Sequence, residues 1–319
     1  MTDLRPLGRS GLSTPPLVLG GNVFGWTADR KASFAVLDAF VAGGGVMIDS
    51  ADIYSNWVPG NRGGESETMI GEWLKRRGHR DDVLITSKMG SLPGEGGKGL
   101  APSRITVAIE DSLRRLGVDH IDFYYAHRDD PTQPQEVVLA TFDSLVKAGK
   151  VRHIAASNYA APRLASALDI SKEMGLARFE LLQPQLNLMV RSDFPADLQR
   201  LCIDRSLGVL PYFALASGFL TGKYRSAEDA EGKGRGAEAK SHMNPRGFAV
   251  LAAMDAVAEE NGASLSQIAL AWIAAQPGVT APIASATTVG QVEELLGAMR
   301  LKLTLEQIDR LDEASRTPA

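Results

Sequence analysis

A (β/α)8 barrel of the TIM type, with an N-terminal β-hairpin and C-terminal helices, is the fold this sequence predicts. Three observations predict it. Eight short apolar runs recur through the 319 residues, at mostly 27–38-residue intervals, and helical material follows each. Val46–Ile48, set behind three glycines, is apolar without alternation, as expected of a parallel strand covered on both faces. Polar residues stand where the runs end, and α/β folds place their chemistry at the C-terminal ends of strands. The competing fold, a doubly wound sheet, needs a glycine fingerprint after an early strand. Leu19-Gly20-Gly21-Asn22-Val23-Phe24-Gly25 lacks its spacing.

The elements follow in order. Leu4–Leu7 and Leu12–Thr14 flank the turn Gly8-Arg9-Ser10-Gly11, a hairpin pattern. The first strand is Leu17–Leu19, and residues 30–42 carry Phe34, Leu37, Phe40 and Val41 at helical spacing. Val46–Asp49 is the second strand, with residues 65–76 as its helix; Val83–Ser87 is the third, running into Lys88. Pro102-Ser103 opens a helix whose Ile105, Ala108, Ile109, Leu113 and Leu116 share one face before Gly117 stops it. Ile121–Ala126 leads into His127, and Val151–Ala156 into Ser157-Asn158, with helices at 134–148 and 161–174. The last three strands are Leu181–Gln185, Val209–Tyr212 and Val279–Ala284. Helices occupy 194–206, 248–261, 264–275, 289–299 and 304–315. Residues 225–247, rich in Gly, Lys, Glu and Ala without apolar period, read as a surface loop within one domain spanning 1–319.

Composition narrows the function. The chain is 44% hydrophobic and 23% charged, which suits a globular protein with a large core. A net charge of −4, from 34 basic and 38 acidic residues, gives no basic face for nucleic acid. No run approaches the ~18–20 apolar residues that span a bilayer, and Met1–Ser13 has no apolar leader core. A cytoplasmic enzyme-sized domain is the expectation. Cys202, the only cysteine, reads as a small buried hydrophobe. The five histidines show no ligand-like spacing, so no metal site is expected. Helix-face polarity leaves the oligomeric state open.

In a barrel the strand ends meet at one rim. Asp49 and Tyr54 follow the second strand, Lys88 the third, and His127 the fourth. Ser157-Asn158 follow the fifth, Gln183 and Asn187 flank the sixth, and Tyr212 ends the seventh. A lone lysine at a strand end is usually a solvated charge; this set suits proton delivery to a carbonyl oxygen. Phenol has a pKa near 10. A neighbouring ammonium is expected to lower it, a paired carboxylate to keep that ammonium charged, and an imidazole to supply a second donor. Nothing in the set transfers hydride, so a redox cofactor is implied.

Asp49-Ser50-Ala51-Asp52-Ile53-Tyr54, Ile85-Thr86-Ser87-Lys88 and Asp122-Phe123-Tyr124-Tyr125-Ala126-His127 resemble the three signature blocks of the aldo-keto reductase superfamily. Ser112–Leu116, Gly149–Arg152, Ser157-Asn158 and Leu220–Tyr224 resemble supporting blocks, in order along nearly the whole chain. Among its branches the potassium-channel β-subunit-like one is the nearest in pattern. The resemblance implies Tyr54 as general acid, Asp49 and Lys88 as its tuning pair, and His127 as the donor that orients a carbonyl. It implies that Gly21, Asn22, Asp49, Ser157, Asn158 and Gln183 bind the nicotinamide end of NADP(H), with Tyr212 stacked on the ring. Phe213, Ala214, Leu215, Ser217, Gly218, Leu220 and Lys223 would wrap the pyrophosphate, and 225–247 would be a lid over it. Ser285, Thr287, Gln291 and Glu294 would hold the adenosine end. Phe24, Trp26 and Trp57, with Tyr54 and His127, would line the mouth for a small aldehyde, ketone or oxidised sugar.

One departure bears on the cofactor. Where the family usually places Arg or Lys for the 2′-phosphate, this chain has Ser285-Ala286-Thr287-Thr288, so NAD(H) stays open beside NADP(H). Arg235 and Arg246 of the 225–247 segment are the substitute cations. Two other functions compete: a Schiff-base aldolase built on Lys88, and a cofactor-retaining redox-sensing subunit with little turnover.

Overall fold

The structure, a computed structural model of the chain, describes residues 3–232 and 235–316. An antiparallel hairpin, β1 (Arg5–Pro6) and β2 (Ser13–Thr14), comes first, with Gly8 and Gly11 at φ +65° and +78° in its turn. Eight parallel strands follow: β3 (Val18–Gly20), β4 (Met47–Asp49), β5 (Leu84–Met89), β6 (Ile121–Ala126), β7 (Val151–Ser157), β8 (Phe179–Gln183), β9 (Gly208–Val209) and β10 (Ile283–Ala284). They pair in chain order from β3 to β9, and β10 lies beside β3. A bridge between Val209 and Val279, and the Ile283 N–H donating to Pro211 O at 2.8 Å, closes the barrel.

Three late strands are shorter or shifted relative to the sequence expectation, and prolines explain it. Pro184, Pro211 and Pro282 lie in the expected runs, and proline brings no N–H to a ladder. β8 therefore ends at Gln183, β9 at Val209, and only Ile283–Ala284 of the eighth run is regular. Tyr212 keeps its place through an isolated bridge to Gln185, its N–H donating to Pro184 O at 2.9 Å.

Period-2 alternation separates two cores. Val18, Met47, Phe123, Tyr125, Ala155, Leu181, Leu210 and Ile283 point inward and fill the barrel. Leu7 of the hairpin joins them as the plug at the N-terminal end. A Cβ on Gly208 would meet Gly8 N at 3.0 Å and Leu181 Cδ2 at 2.5 Å, so glycine lets the hairpin sit this close. The alternate residues, Ile48, Ile85, Tyr124, Ile154 and Leu182, face the helices.

Those helices are α1 (Arg30–Ala42), α2 (Glu65–Arg77), α3 (Pro102–Leu116), α4 (Gln135–Lys147), α5 (Ala161–Met174) and α6 (Ala196–Asp204). The face predicted for α3 is the one it buries. Cys202 is fully buried in α6, where burial pushes its thiol up to about 12, so it packs as a small apolar residue.

Residues 225–247 hold a 3-10 turn at Glu228–Ala230 and α7 (Gly236–Ser241), and 233–234 lie outside the described residues. The next helix, α8 (Pro245–Asn261), starts before the expected 248. Asn244 caps it by accepting from the Gly247 N–H, and Pro245 occupies the first turn. α9 (Leu265–Ala275), α10 (Val289–Ala298) and α11 (Leu305–Ser315) complete the chain, α9 and α11 each opened by a capping box. No described helix is long and apolar enough to cross a membrane.

Candidate active site

Asp49 is the last residue of β4, and Thr86 and Lys88 share the inward face of β5 beside it. All three are buried. The carboxylate of Asp49 accepts four hydrogen bonds. Oδ1 takes Thr86 Oγ1 at 2.9 Å and Gln183 Nε2 at 3.0 Å; Oδ2 takes Lys88 Nζ at 2.6 Å and the Tyr54 hydroxyl at 3.2 Å. The Lys88 ammonium also donates to Ser50 O and to the Tyr54 oxygen, both at 2.8 Å. Its three protons thus have three acceptors, as a buried ammonium requires.

Tyr54 reaches this pair because the loop after β4 is pinned. Ser55 holds φ +69°, its hydroxyl donates to Phe24 O at 2.8 Å, and Asn61 Nδ2 donates to Ser55 O at 3.0 Å and Gly25 O at 3.1 Å. The Lys88 ammonium was expected to lower the Tyr54 pKa. The net direction is the opposite: burial, and then the Asp49 charge, hold the phenol well above its ordinary value, while burial pulls Lys88 down. Burial and the Asp49 carboxylate together outweigh the nearer ammonium, and the phenol keeps its proton.

His127 follows β6, its N–H donating to Met89 O at 2.9 Å. Its Nδ1 is buried with no partner, leaving Nε2 as the ring nitrogen open to the rim. Burial, then the Lys88 charge, pushes its pKa down to about 3, so the imidazole is neutral. With no acceptor at Nδ1, the proton belongs on Nε2. The Tyr54 and His127 rings stand 6.4 Å apart, edge to face.

Beyond them, Asn158 sits at φ +58°, donates from Nδ2 to His127 O at 2.9 Å, and accepts the Tyr212 hydroxyl at 2.7 Å. Ser157 Oγ donates to Gln183 O at 2.8 Å. Phe213, Ala216 and Ser217 all hold left-handed backbone, at φ +54°, +45° and +56°, a strain that residues with side chains carry where a site demands it. Lys223 Nζ lies 3.1 Å from where a Cβ on Gly218 would be, so glycine makes room for that cation. A half-buried tyrosine ring, amide and hydroxyl side chains and the Lys223 ammonium, which makes no ion pair among the described residues, fit a dinucleotide beside a strained loop.

Not every expected residue faces the site. Phe24 is fully buried against the outer core, so its side chain lines no mouth; its carbonyl holds Ser55 instead. Leu220 is buried and its N–H donates to Leu215 O at 3.3 Å, so neither end of it is offered to a pyrophosphate. Glu294 accepts from the Ser264 hydroxyl at 2.6 Å, at the N-cap of α9. The Ser285 hydroxyl bonds Asn22 Oδ1, and the Thr287 N–H and hydroxyl both donate to Gln291 Oε1, at 2.8 and 3.1 Å. Arg246 donates to the carbonyls of Met189, Leu188 and Ser315, and Arg235 lies over the Trp26 ring. Trp26 and Trp57 do meet at the rim, their rings 5.5 Å apart, with Trp57 6.4 Å from Tyr54. Thr86 was missed, although it lies two residues before Lys88 on a strand and must share its face.

Behind the rim lies a second charged cluster. Glu67 pairs with Arg115 at 2.6 Å and accepts from the Ser87 hydroxyl. Both oxygens of fully buried Asp52 lack a hydrogen bond, the Arg104 guanidinium being 3.7 Å away. Burial, then the Glu67 charge, pushes the Asp52 pKa up to about 8. Between its unfolded value of 3.8 and 8 the native state holds a proton that the unfolded chain has lost, so this group costs stability increasingly as pH rises through that window. Asp52→Asn therefore raises Tm, by several degrees at pH 8 and by less at pH 5. Thermal melts at the two pH values check it, and a gain independent of pH contradicts it.

A family model described as "Aldo/keto reductase family" matches residues 16–316. Among similar proteins, the aldo-keto reductase str7 of Strobilurus tenacellus is 34% identical, covering 92% of this chain and 85% of its own length. A protein named "Probable voltage-gated potassium channel subunit beta" from Oryza sativa subsp. japonica is 30% identical over 96% of this chain and 94% of its own. The norsolorinic acid reductase of Aspergillus flavus is 28% identical over 96% of this chain and 79% of its own. This chain is itself a closed parallel barrel with its polar residues at the C-terminal rim. The chain belongs to the aldo/keto reductase family.

Proposed function

We propose that this chain is an NAD(P)H-dependent carbonyl reductase, one cytoplasmic domain in which Tyr54 is the general acid for small aldehydes or ketones, sugar-derived ones included. The Lys88–Tyr54–Asp49 contact at 2.8 and 3.2 Å carries the reading. A bound nicotinamide would supply the hydride. Asp49 and Lys88 position the phenol and receive the charge left when its proton goes to the nascent alkoxide. Neutral His127 donates from Nε2 to the same oxygen, which orients the carbonyl. Gln183 and Asn158 would hold the carboxamide, Tyr212 the ring face, and Lys223 the pyrophosphate, with 225–247 as a lid.

An aldolase is disfavoured by the three acceptors around the Lys88 ammonium, which keep its nitrogen from attacking a carbonyl. The relatives named as channel β subunits favour a second reading, a subunit that retains cofactor and turns over little.

The adenosine end decides the cofactor. Among the described residues the hydrogen bonds of Ser285 and Thr287 are to Asn22 and Gln291 and none is to a cation, so a 2′-phosphate would gain hydrogen bonds there but no opposite charge. NADPH should bind less than about tenfold more tightly than NADH, since a lost charge-assisted bond is worth ~1.5–3 kcal/mol. Tryptophan fluorescence titration with each nucleotide, beside turnover of benzaldehyde, tests both claims. Binding with turnover supports the reductase, binding without turnover the retaining subunit, and no binding of either nucleotide sinks both.

A further inference from the structure

A second charged concavity lies at the end of the barrel opposite the catalytic rim. A cleft of about 540 Å³ opens where the hairpin turn, the end of α5 and the start of β8 meet. Arg9 enters it from the turn, Lys172 from the last turn of α5, Arg178 from the residue before β8, and Arg205 from the C-cap of α6. Asp169 is the one carboxylate on its lining, and Arg205 holds it at 2.7 Å. Leu168 and Leu176 give the cleft an apolar side. β8 runs from here to Gln183, roughly 17 Å at ~3.3 Å per residue, so the cleft is separate from the catalytic set.

Helix C-termini attract cations, which accounts for part of the cluster: Arg178 Nη2 donates to Arg205 O, at the end of α6, at 2.9 Å. The rest has no such account. Arg178 Nε donates to Phe179 O at 3.3 Å and lies 3.7 Å from Glu180, which leaves Nη1 with no acceptor among the described residues. Arg9 and Lys172 make no ion pair among the described residues, and the Arg9 N–H, donating to Glu180 Oε2 at 2.8 Å, pins the turn on β8. Burial pulls the Arg178 pKa down against the Glu180 charge, and the charges of Arg9 and Arg205 push the same way as burial. A bound anion would relieve that repulsion. The free donors arrive from three elements: the hairpin turn, α5 and the approach to β8. A carboxylate offers two oxygens in one plane, whereas a phosphate offers three, spread tetrahedrally, with up to two charges. One guanidinium fork and two point charges suit the phosphate.

We propose that this cleft binds a phosphate dianion, free or as the monoester of a small organic molecule whose carbon end lies on Leu168 and Leu176. The site stands apart from the carbonyl-reductase reading, since none of its residues belongs to the catalytic rim.

Calorimetric titration of the full chain with phenyl phosphate, inorganic phosphate and benzenesulfonate tests it, at low salt and at pH 7.5, above the second phosphate pKa near 6. Phenyl phosphate should bind about tenfold or more tightly than benzenesulfonate, which has the same ring and one charge fewer. Tighter binding of phenyl phosphate than of inorganic phosphate identifies the ester as the ligand; equal affinities identify free phosphate. Arg178→Gln should weaken phenyl phosphate about tenfold, and Arg178→Lys, which keeps the charge and loses the fork, by less. Because Arg178 also caps α6, a second variant carries Arg9→Gln and Lys172→Gln, which break no side-chain hydrogen bond among the described residues. It should weaken binding about fivefold. Lys223→Gln, at the proposed dinucleotide site, should leave phenyl phosphate binding unchanged. A loss in Lys223→Gln with none in the Arg9/Lys172 variant would put the phosphate at the dinucleotide site and overturn the proposal. So would benzenesulfonate binding as tightly as phenyl phosphate, or a wild-type chain that binds neither phosphate.

Discussion

Tyr54→Phe should lower aldehyde reduction roughly a thousandfold, the middle of the range for a positioned general acid, while NADPH binds as before. The substitution removes one oxygen and no carbon, so the ring keeps its contacts with Trp57 and His127. What goes is the hydroxyl that accepts from Lys88 Nζ at 2.8 Å and donates its single proton to Asp49 Oδ2 at 3.2 Å. Neutral His127 cannot replace it. An imidazole that carries one proton donates a hydrogen bond but does not give that proton up near neutral pH. Its pKa of about 3 also means that no cationic form is available above acidic pH. Two consequences follow for pH. The phenol, held above its ordinary pKa, stays protonated throughout the neutral range, so the rate of reduction should not fall between pH 6 and 8. The residual rate of the Phe variant should be equally flat there. Steady-state kinetics with a generic aldehyde, beside fluorescence titration of both proteins, decides the matter. A variant within tenfold of wild type would remove Tyr54 from the role of acid.

The strand ends were readable because a barrel turns a one-dimensional pattern into a ring. Asp49, Lys88 and His127 each stand at or just past the end of a strand run, and closure alone brings them together. Residues on loops obey no such rule. Phe24, Trp26 and Trp57 looked alike in sequence, yet Phe24 turns into the outer core while the two tryptophans stay at the rim. No period governs a loop, so nothing local tells which way each ring points. For the same reason the charge of Arg235 was visible in sequence and its position over Trp26 was not. Leu220 and Glu294 were assigned by motif position. Their side chains are occupied by packing and by a helix cap, partners that a motif does not carry. Helix starts fared better where a cap was recognised; α8 begins early because Asn244 and Pro245 outweigh the absence of an apolar residue before Phe248. The direction of the Tyr54 shift turned first on burial, which a motif does not carry, and then on the Asp49 charge.

Asp49→Leu should destabilise the fold by about 3–5 kcal/mol, and adding Lys88→Met should recover most of that loss. Both side chains are at most 2% exposed, and the 2.6 Å contact joins them inside the barrel mouth. Replacing the carboxylate by an apolar group of similar size strands an ammonium that keeps only Ser50 O and the Tyr54 oxygen. Burial already pulls the Lys88 pKa down with the carboxylate present; without it, shedding the proton becomes the cheaper state. Lys88→Met alone should cost less. Asp49 would still accept from Thr86, Gln183 and Tyr54, three donors that satisfy most of its charge. The cycle is thus asymmetric, with Asp49 the costlier partner to lose and a coupling energy well above the few tenths expected of independent sites. Urea unfolding of the four proteins, with m unchanged, measures it. If Asp49→Leu unfolds within 1 kcal/mol of wild type, or the double variant is no more stable than Asp49→Leu, the pair is not an energetically coupled buried charge. All three variants should be inactive as reductases, the double variant included. An apolar pair can refill the mouth, but it offers Tyr54 neither the ammonium that stabilises a departing proton's charge nor the carboxylate that keeps that ammonium in place. Regained stability without regained turnover would separate what this pair does for the barrel from what it does for the phenol.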